Sequence, residues 1–460
     1  MFTTDCKFLE NELLDVVRLF RRRPSEIKHS FRFEGSVFYN DFVIDGEEFF
    51  FQDRGQVRDE LEYKRLERRF AKLALYAILS DKYDEKMPWG ALTGIRPTKL
   101  AYTEIEKNGD FVPLFKKMRV QEENIRLVAE ILNEQKGIYQ KKDGNTDLFV
   151  SIPFCPTKCA YCSFITAPID KTKNFLPAYL SCLEKELYHA KESVGQLRSI
   201  YVGGGTPFAL EAQDLERVLK AIAPIYDNQC EYTVEAGRPD VFTDEKLALL
   251  KEYGVNRICI NPQTFSDETL QKIGRKHTVA DIYRAFALSE KYGFSINVDL
   301  IAGLADESVE TFVQGVEKAV ETGADNITVH CLSLKSGAKL KEDMIKEDVA
   351  YIENDSISEM VAYSRKILSE NGYAPYYMYR QKYQVGNNEN VGWTKKGKAC
   401  VYNVDIMEET ADNLAVGANA VSKRVFNEQG LIQRFASQKD LKTYIEKIDE
   451  IIEKRKTFFQ

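Results

Sequence analysis

The sequence predicts an α/β fold built around a parallel sheet, and two observations lead to this prediction. Six short apolar segments have the length and composition of buried strands. They are residues 148–152, 199–203, 231–236, 257–261, 294–300 and 326–332. Segments with a helical apolar period separate them, at 173–194, 211–225, 243–253, 279–292 and 307–322. Six such strands fit either an open doubly wound sheet or a partial barrel. In both folds the functional face lies at the carboxyl ends of the strands.

Residues 1–140 precede this repeat and predict a separate α+β domain. Residues 29–53 alternate apolar and polar side chains, and Asp45-Gly46 within them is a hairpin signal. Apolar side chains then recur at helical spacing from Val57 to Ile78. The segment PWGALTGIRPTKL (88–100) is rich in proline and glycine and predicts a structured loop that leads into a helix.

The remaining boundaries follow from composition. The polar residues 141–147 predict a linker, and the strand-helix repeat predicts a central domain over 148–340. Residues 341–460 contain helical patterns at 355–371 and 440–455 around an aromatic, Gly- and Asn-rich stretch at 374–393. They predict a small C-terminal α+β appendage.

Charge and hydropathy exclude several classes of protein. The 460 residues include 64 Lys and Arg against 71 Asp and Glu, which gives a formal charge of −7. A general nucleic-acid binder usually carries a basic excess, so no nucleic-acid partner is expected. The first residues show no secretory signal, and the longest apolar run, at 73–79, is too short to span a bilayer. We therefore expect a cytoplasmic protein without a membrane span, and the oligomeric state is unknown.

Three of the nine cysteines form a candidate metal site. Cys155, Cys159 and Cys162 lie in SIPFCPTKCAYCSF, directly after the first predicted strand of the repeat. Thiolates at this spacing can ligate zinc or an iron–sulfur cluster. Structural zinc takes four protein ligands, and no fourth Cys or His lies nearby, so a cluster with one open iron is favoured. The six scattered cysteines are predicted to be small packing residues.

The pattern C-x3-C-x-aromatic-C, with Tyr161 before Cys162, resembles the radical SAM superfamily. Four further segments are similar to its oxygen-independent coproporphyrinogen III oxidase family, namely YVGGGTP (201–207), NRICINPQ (256–263), GRKHT (274–278) and NVDLIAGL (297–304). The segment PWGALTGIRPTKL is similar to the HemZ-type coproporphyrinogen dehydrogenase branch of that family. The resemblance implies a radical SAM partial (β/α)6 barrel with a [4Fe-4S] cluster and S-adenosyl-L-methionine (SAM) as cofactors. It also implies that the three cysteines are the cluster ligands and that SAM chelates the open iron.

The resemblance assigns SAM contacts to nine further residues. Gly205 and Thr206 would meet the amino-acid end of SAM, and free N–H groups in such a glycine turn can bind a carboxylate. Glu235, at the end of the third strand, would contact the ribose or the amino group. The other implied contacts are Phe149, Tyr161, Gln263, Arg275, Asp299 and Ser333.

Residue chemistry alone leaves other roles open for several of these positions. The glycines could form a tight turn without a ligand, and Glu235 could cap the following segment. Arg275 could form a surface ion pair, and Tyr161 could pack in the core. Asp299 falls in an apolar run, where an unpaired carboxylate is costly to bury, so it needs a ligand or a hydrogen-bonded partner.

The chain departs from the family just before the first cysteine. Well-characterised members carry Tyr and His where this chain has Phe149 and Ser151. A phenylalanine packs but donates no hydrogen bond, so a role of that tyrosine hydroxyl would be lost or moved to another residue.

The resemblance implies that a 5′-deoxyadenosyl radical from SAM drives oxidative decarboxylation of coproporphyrinogen III to protoporphyrinogen IX, without oxygen. A porphyrinogen substrate and an external electron donor and acceptor would be the partners. A haem-binding chaperone and a radical SAM methyltransferase that degrades haem are alternatives on the same scaffold. Residues 374–393, and Trp89 with Arg96, have the composition that a macrocycle with propionates needs, but no substrate residue is assigned.

Overall fold

The computed structural model describes residues 1–162, 167–304, 306–333, 354–381 and 388–460. The described residues form two compact units. The first comprises Met1–Ala129 with Arg380–Asn388, and the second comprises Glu130–Tyr379 with Glu389–Gln460. The predicted linker at 141–147 falls within the second unit. Within these ranges, no helix combines the length and the apolarity needed to cross a lipid bilayer.

The first unit is an α+β domain, as the sequence patterns predicted. Its strands are β1 (Phe2–Thr4), β2 (Ile27–Glu34), β3 (Val37–Ile44) and β4 (Glu47–Arg54). They pair in that order, with β1 parallel to β2 and the other pairs antiparallel. Asp45 and Gly46 make the turn between β3 and β4 at φ of 51° and 88°, conformations that these two residues tolerate. The helices are α1 (Lys7–Val17), α2 (Glu60–Tyr83), α3 (Pro97–Asn108), α4 (Val112–Lys117) and α5 (Glu122–Glu134), the last of which leads into the second unit.

The second unit contains the predicted strand-helix repeat. Its strands up to the sixth of the repeat are β5 (Asn145–Ile152), β6 (Phe154–Cys155), β7 (Ala167–Pro168), β8 (Gln196–Gly204), β9 (Glu231–Gly237), β10 (Arg257–Gln263), β11 (Ser295–Ala302) and β12 (Asn326–Cys331). The helices between them are α6 (Ile169–Thr172), α7 (Leu176–Ala190), α8 (Ala212–Ile222), α9 (Asp244–Glu252), α10 (Asp267–Lys272), α11 (Val279–Glu290) and α12 (Val309–Glu321). All six predicted strands are present.

Strand order decides between the two folds that the sequence left open. The strands β5, β8, β9, β10, β11 and β12 lie side by side in chain order, and every neighbouring pair is parallel. A doubly wound sheet reverses its order at a switch point, whereas a (β/α) barrel keeps it. The centre of this unit is therefore the partial barrel, and its six carboxyl ends meet at one edge.

The C-terminal residues are α+β, as predicted, but they extend the central sheet. Strand β14 pairs antiparallel with β12 and β13, and β15 adds to β5 in parallel before the hairpin of β16 and β17. The predicted helix at 440–455 is two helices. The elements are α13 (Asn354–Glu370), β13 (Ala374–Tyr379), β14 (Asn390–Thr394), α14 (Val401–Glu408), β15 (Asp412–Val416), β16 (Val421–Phe426), β17 (Leu431–Ala436), α15 (Leu441–Glu446) and α16 (Ile448–Phe459).

A buried polar layer supports the barrel at the amino ends of its strands. Arg257 and Glu231, which begin β10 and β9, form an ion pair at 3.1 Å, and both side chains are less than 10% exposed. Arg257 also donates to Asn297 Oδ1 at 2.8 Å and to the carbonyl of Lys398 at 2.9 Å. These bonds provide the buried charges of Arg257 and Glu231 with partners.

Candidate cofactor site

The three clustered cysteines lie on the loop that follows β5, at the carboxyl edge of the barrel. Cys155 ends β6, and the Thr206 hydroxyl donates toward its sulfur at 3.6 Å. The Cys162 N–H donates to the Cys159 carbonyl at 3.1 Å, which closes a turn. The three side chains are partly exposed thiols, whereas four of the other six cysteines are buried. The predicted ligands therefore share one short, accessible loop.

Neighbouring strand ends hold this loop in place. The Ala160 N–H donates to the carbonyl of Ile273, at the end of α10, at 3.1 Å. Arg238, just past β9 and 3% exposed, donates to the Thr157 hydroxyl. Because these two contacts come from different connections of the barrel, the fold contributes to positioning the loop.

Arg275 and Tyr161 lie against the cysteine loop. Arg275 is buried, donates to the Asn261 carbonyl and hydrogen-bonds Tyr161 and Cys159. Burial raises the pKa of the Tyr161 hydroxyl; the Arg275 charge opposes this rise and Cys159 adds to it. Tyr161 also packs against an apolar cluster that includes Leu270. Arg275 is thus an internal cation beside the cysteines, not part of a surface ion pair.

The glycine turn at the end of β8 packs directly on the cysteine loop. A Cβ on Gly205 would lie 2.6 Å from the Phe154 carbonyl oxygen and 2.7 Å from that of Ile152. The prediction that free N–H groups here await a carboxylate is wrong for Gly205 and Thr206. Their N–H groups donate to the carbonyls of Ile152 and Phe154, at 2.8 and 2.7 Å. The close approach of the two segments, which only glycine permits, consumes both donors.

Glu235 ends β9 beside this turn. It accepts hydrogen bonds from the Tyr201 hydroxyl at 2.6 Å and from the Gly204 N–H. Burial raises the pKa of Glu235 to about 7, the Tyr201 hydrogen bond partly opposes the rise, and the nearby Asp299 adds to it. Glu235 does not cap the next helix, because Thr243 caps α9. The carboxyl group can therefore gain or lose a proton near neutral pH.

Asp299 has the partner that its apolar surroundings require. His330, on the neighbouring β12, brings Nε2 to 3.5 Å from Asp299 Oδ1. The other ring nitrogen of His330 lies 2.9 Å from the Tyr379 hydroxyl. The sequence indicated that Asp299 needs a partner, but the pairing itself comes from the register of β11 and β12.

Gln263 and Ser333 follow the remaining strand ends. Gln263 is buried at φ of 71°, where a residue with a side chain costs about 1–3 kcal/mol and which is common at functional sites. The register of β10 against β11 also shifts between Ile260 and Gln263. Ser333 is half-buried two residues past β12. Among the described residues, no hydrogen bond joins Ser333 to the other predicted contacts.

Phe149 lies in a stack of three aromatic rings inside the barrel. Its ring centroid is 6.2 Å from that of Tyr201 and 6.3 Å from that of Tyr402, and Tyr201 and Tyr402 are 4.4 Å apart. Tyr201 is the register partner of Phe149 and donates to Glu235. Sequence reasoning missed Tyr201 and Tyr402, although Tyr201 directly precedes Val202 and the glycine turn. A hydroxyl that Phe149 lacks is therefore present one strand away.

Ser151, the other residue at which the chain departs from the family, donates to the Ala418 carbonyl at 2.8 Å.

The aromatic residues with the composition of a macrocycle site belong mostly to the protein core. Trp89, Tyr376, Tyr377 and Trp393 are at most 6% exposed. Residues 382–387 of the aromatic stretch lie outside the described ranges. These four rings offer no open wall to a substrate.

The donors at this edge fit an iron–sulfur cluster and a polar cofactor. Across the described ranges, no three His, Cys, Asp or Glu side chains, the three cysteines included, converge on a point where a single metal ion could bind. The cysteine loop offers three soft thiol groups, all partly exposed. That donor set suits a cluster with one open iron. Several buried polar atoms nearby lack a hydrogen-bond partner, namely Asn261 Oδ1, Arg275 Nε and both ring nitrogens of His277. Such atoms are what a bound polar molecule would satisfy.

Comparisons with known proteins agree with this geometry. The Radical SAM superfamily model matches residues 149–319. The oxygen-independent coproporphyrinogen-III oxidase-like protein HemZ of Bacillus subtilis is 37% identical over 383 residues, covering 80% of this chain and 76% of that protein. The heme chaperone HemW of Lactococcus lactis is 36% identical over 231 residues, or 50% of this chain and 60% of the relative.

Among solved structures, the coproporphyrinogen III oxidase HemN from Escherichia coli, a radical SAM enzyme, shares the fold. It has a TM-score of 0.55 and 21% identity, over 68% of this chain and 71% of that one. The chain belongs to the radical SAM superfamily, whose cofactors are a [4Fe-4S] cluster and SAM, and within it to the HemZ-type oxygen-independent coproporphyrinogen III oxidase family.

Proposed function

We propose that this chain is an enzyme that oxidatively decarboxylates coproporphyrinogen III to protoporphyrinogen IX without oxygen. The observation that supports this most is the extent of its similarity to HemZ, which covers 80% of the chain at 37% identity. The similarity to the chaperone of Lactococcus lactis covers 50%. The polar groups gathered at the carboxyl edge of the barrel support radical SAM chemistry whatever the substrate.

In this proposal Cys155, Cys159 and Cys162 are the protein ligands of the cluster. When bound, the cluster would supply the electron for cleavage of SAM to methionine and a 5′-deoxyadenosyl radical. The chain keeps the three thiols on a loop that the fold has already positioned, with the Thr206 hydroxyl on Cys155 and the Arg275 guanidinium on Cys159. A buried cation beside a thiolate offsets part of its charge.

Polar side chains at successive strand ends would bind SAM. Glu235, ionised above about pH 7, would accept hydrogen bonds from the ribose or the amino group. Arg275 and Asn261 hold buried atoms that lack partners and that polar groups of SAM would satisfy. Gly205 would act by letting the glycine turn approach the cysteine loop. The other SAM contacts in the proposal are Phe149, Tyr161, Thr206, Gln263, Asp299 and Ser333.

The reaction would convert two propionate side chains to vinyl groups. Each would lose a hydrogen atom from the carbon β to the carboxylate to the 5′-deoxyadenosyl radical, which becomes 5′-deoxyadenosine, and would then lose CO2 and one electron. An external donor would provide the electron for SAM cleavage, and an external acceptor would take up the electron released with CO2. The stacked rings of Phe149, Tyr201 and Tyr402 would provide an apolar surface beside this edge.

An anaerobic assay tests the proposal. Protein reconstituted with iron and sulfide is incubated with coproporphyrinogen III, SAM and a reductant, and porphyrins are analysed by mass spectrometry. We expect the tricarboxylic intermediate and then the divinyl product, together with 5′-deoxyadenosine. Cys159→Ser should abolish formation of the tricarboxylic intermediate and of the divinyl product. Cys182→Ser is the matched control, because Cys182 lies on α7 and its thiol donates to the Ile445 carbonyl, at 3.9 Å.

A fully loaded protein that forms no decarboxylated product would contradict the proposal. The second candidate function is that of a haem chaperone, which the 36% identity to HemW favours. Titration of the same preparation with haemin separates the two functions. Stoichiometric haem binding and transfer to an acceptor protein, without decarboxylation, would replace the enzyme proposal by the chaperone.

A further inference from the structure

The first unit contains a cavity of about 340 Å3 that the cofactor site does not use. This volume lies within the range of small-molecule sites. Seven cationic side chains line it, and Glu104 is the one carboxylate among its described lining residues. A concave surface with this imbalance of charge attracts anions.

Helix α2 supplies four of the seven cations from a single face. Arg65, Arg68, Arg69 and Lys72 follow one another at spacings of three, one and three residues, so their side chains project to the same side. Arg65 is exposed and forms no ion pair or hydrogen bond with any described residue. Like charges at these spacings repel one another, and an anionic ligand would relieve that repulsion.

Existing ion pairs neutralise only part of this charge. Lys72 and Arg68 lie 2.9 and 3.9 Å from Glu12, and Arg69 lies 3.4 Å from Glu104. Lys107, on α3, lies 3.1 Å from Glu62. These ion pairs hold the long cationic side chains at the wall of the cavity, so that the side chains do not fill it.

The opposite wall comes from the segment PWGALTGIRPTKL, whose role the cofactor site does not explain. Arg96 and Lys99 line the cavity from the first turn of α3, where the positive end of a helix also favours anions. Arg380 fixes this wall by donating from Nη1 to the carbonyls of Leu92 and Gly94. The wall is therefore held in shape without a ligand.

We propose that this cavity binds a small organic anion that carries two or more phosphate or carboxylate groups. Guanidinium groups pair with either kind of oxygen in two parallel hydrogen bonds, which suits several arginines in one site. Leu92, Leu100 and Met118 also line the cavity and would contact the apolar part of the ligand. The site is separate from the proposed decarboxylation and does not rest on it.

Calorimetric titration of the full-length reconstituted protein tests this site, with tripolyphosphate and citrate as the phosphate and carboxylate probes. We expect one site per chain, with an affinity that falls as NaCl rises from about 50 to about 300 mM. Arg65→Ala and Lys99→Ala should each weaken binding about tenfold, since each removes a charged partner of the anion.

Lys64→Ala is the matched control. Lys64 neighbours Arg65 on α2, pairs with Glu60 at 2.5 Å and does not line the cavity, so its loss should leave the affinity unchanged. If a single probe binds, the site is supported and the bound probe shows whether it prefers phosphate or carboxylate groups. Binding of both probes also supports the site. Failure of both probes to bind, or equal weakening in the control, would overturn the proposal, with thermal melting showing that each variant is folded.

Discussion

Replacing Gly205 by alanine tests whether the glycine turn positions the cysteine loop. The added methyl carbon would lie 2.6 Å from the Phe154 carbonyl oxygen and 2.7 Å from that of Ile152, against at least 3.4 Å in ordinary contact. These oxygens cannot move away freely, because they accept the hydrogen bonds of Thr206 and Gly205. Overpacking costs about 1–3 kcal/mol, and weakening one of the two bonds adds about 1 kcal/mol. We expect Gly205→Ala to lower the free energy of unfolding by about 2–4 kcal/mol.

Urea denaturation under reducing, anaerobic conditions measures this change, and iron content after reconstitution measures its effect on the loop. Gly315→Ala is the matched control. Gly315 lies inside α12, and the nearest described atom outside its own stretch of helix, Phe265 N, would lie 3.7 Å from the added carbon, which is an ordinary contact. Alanine is a better helix former than glycine by about 1 kcal/mol, so this variant should be slightly more stable than the parent protein.

The two substitutions therefore have opposite expected signs although both add one methyl group. A Gly205→Ala protein whose free energy of unfolding stays within about 0.5 kcal/mol of the parent, and which binds iron fully, would refute the reasoning. It would mean that the glycine turn and the cysteine loop can move apart without loss of stability or of iron binding.

Three further predictions concern the second unit, which also contains Gly205. The raised pKa of Glu235, about 7 against its usual 4.5, means that this residue makes the protein less stable as pH rises from 4.5 to 7, by up to about 3 kcal/mol. Glu235→Gln should therefore gain stability relative to the parent over that interval and level off above it; a pH-independent difference in urea unfolding would contradict this. Arg257→Ala should lose about 3–5 kcal/mol in the same assay, because Glu231 is left buried without its cation, and a loss below about 1 kcal/mol would show that the pair is dispensable. Cys159→Ser should lower iron content while Cys182→Ser does not, and full iron in the first variant would refute the ligand assignment.

Several features of this protein could be predicted from residues that are close together in the sequence. The six strands and the helices between them follow from local apolar periods, and the Asp45-Gly46 turn from the dihedral preferences of two residues. The grouping of Cys155, Cys159 and Cys162 on one loop is equally local. Such features need no knowledge of distant contacts.

The tertiary structure decided what depends on strand register and on the packing of remote segments. Chain-order pairing of the strands selected the barrel, and the register of β5 and β8 placed Tyr201 beside Phe149 and Glu235. The N–H groups of Gly205 and Thr206 were expected to be free, but their partners lie on another loop. The cationic cavity likewise joins α2 to the start of α3. The sequence by itself thus determined the elements and the shared loop of the three cysteines, because local chain preferences suffice for these. Which polar groups meet was decided only by folding, because such contacts join residues that are tens to hundreds of positions apart.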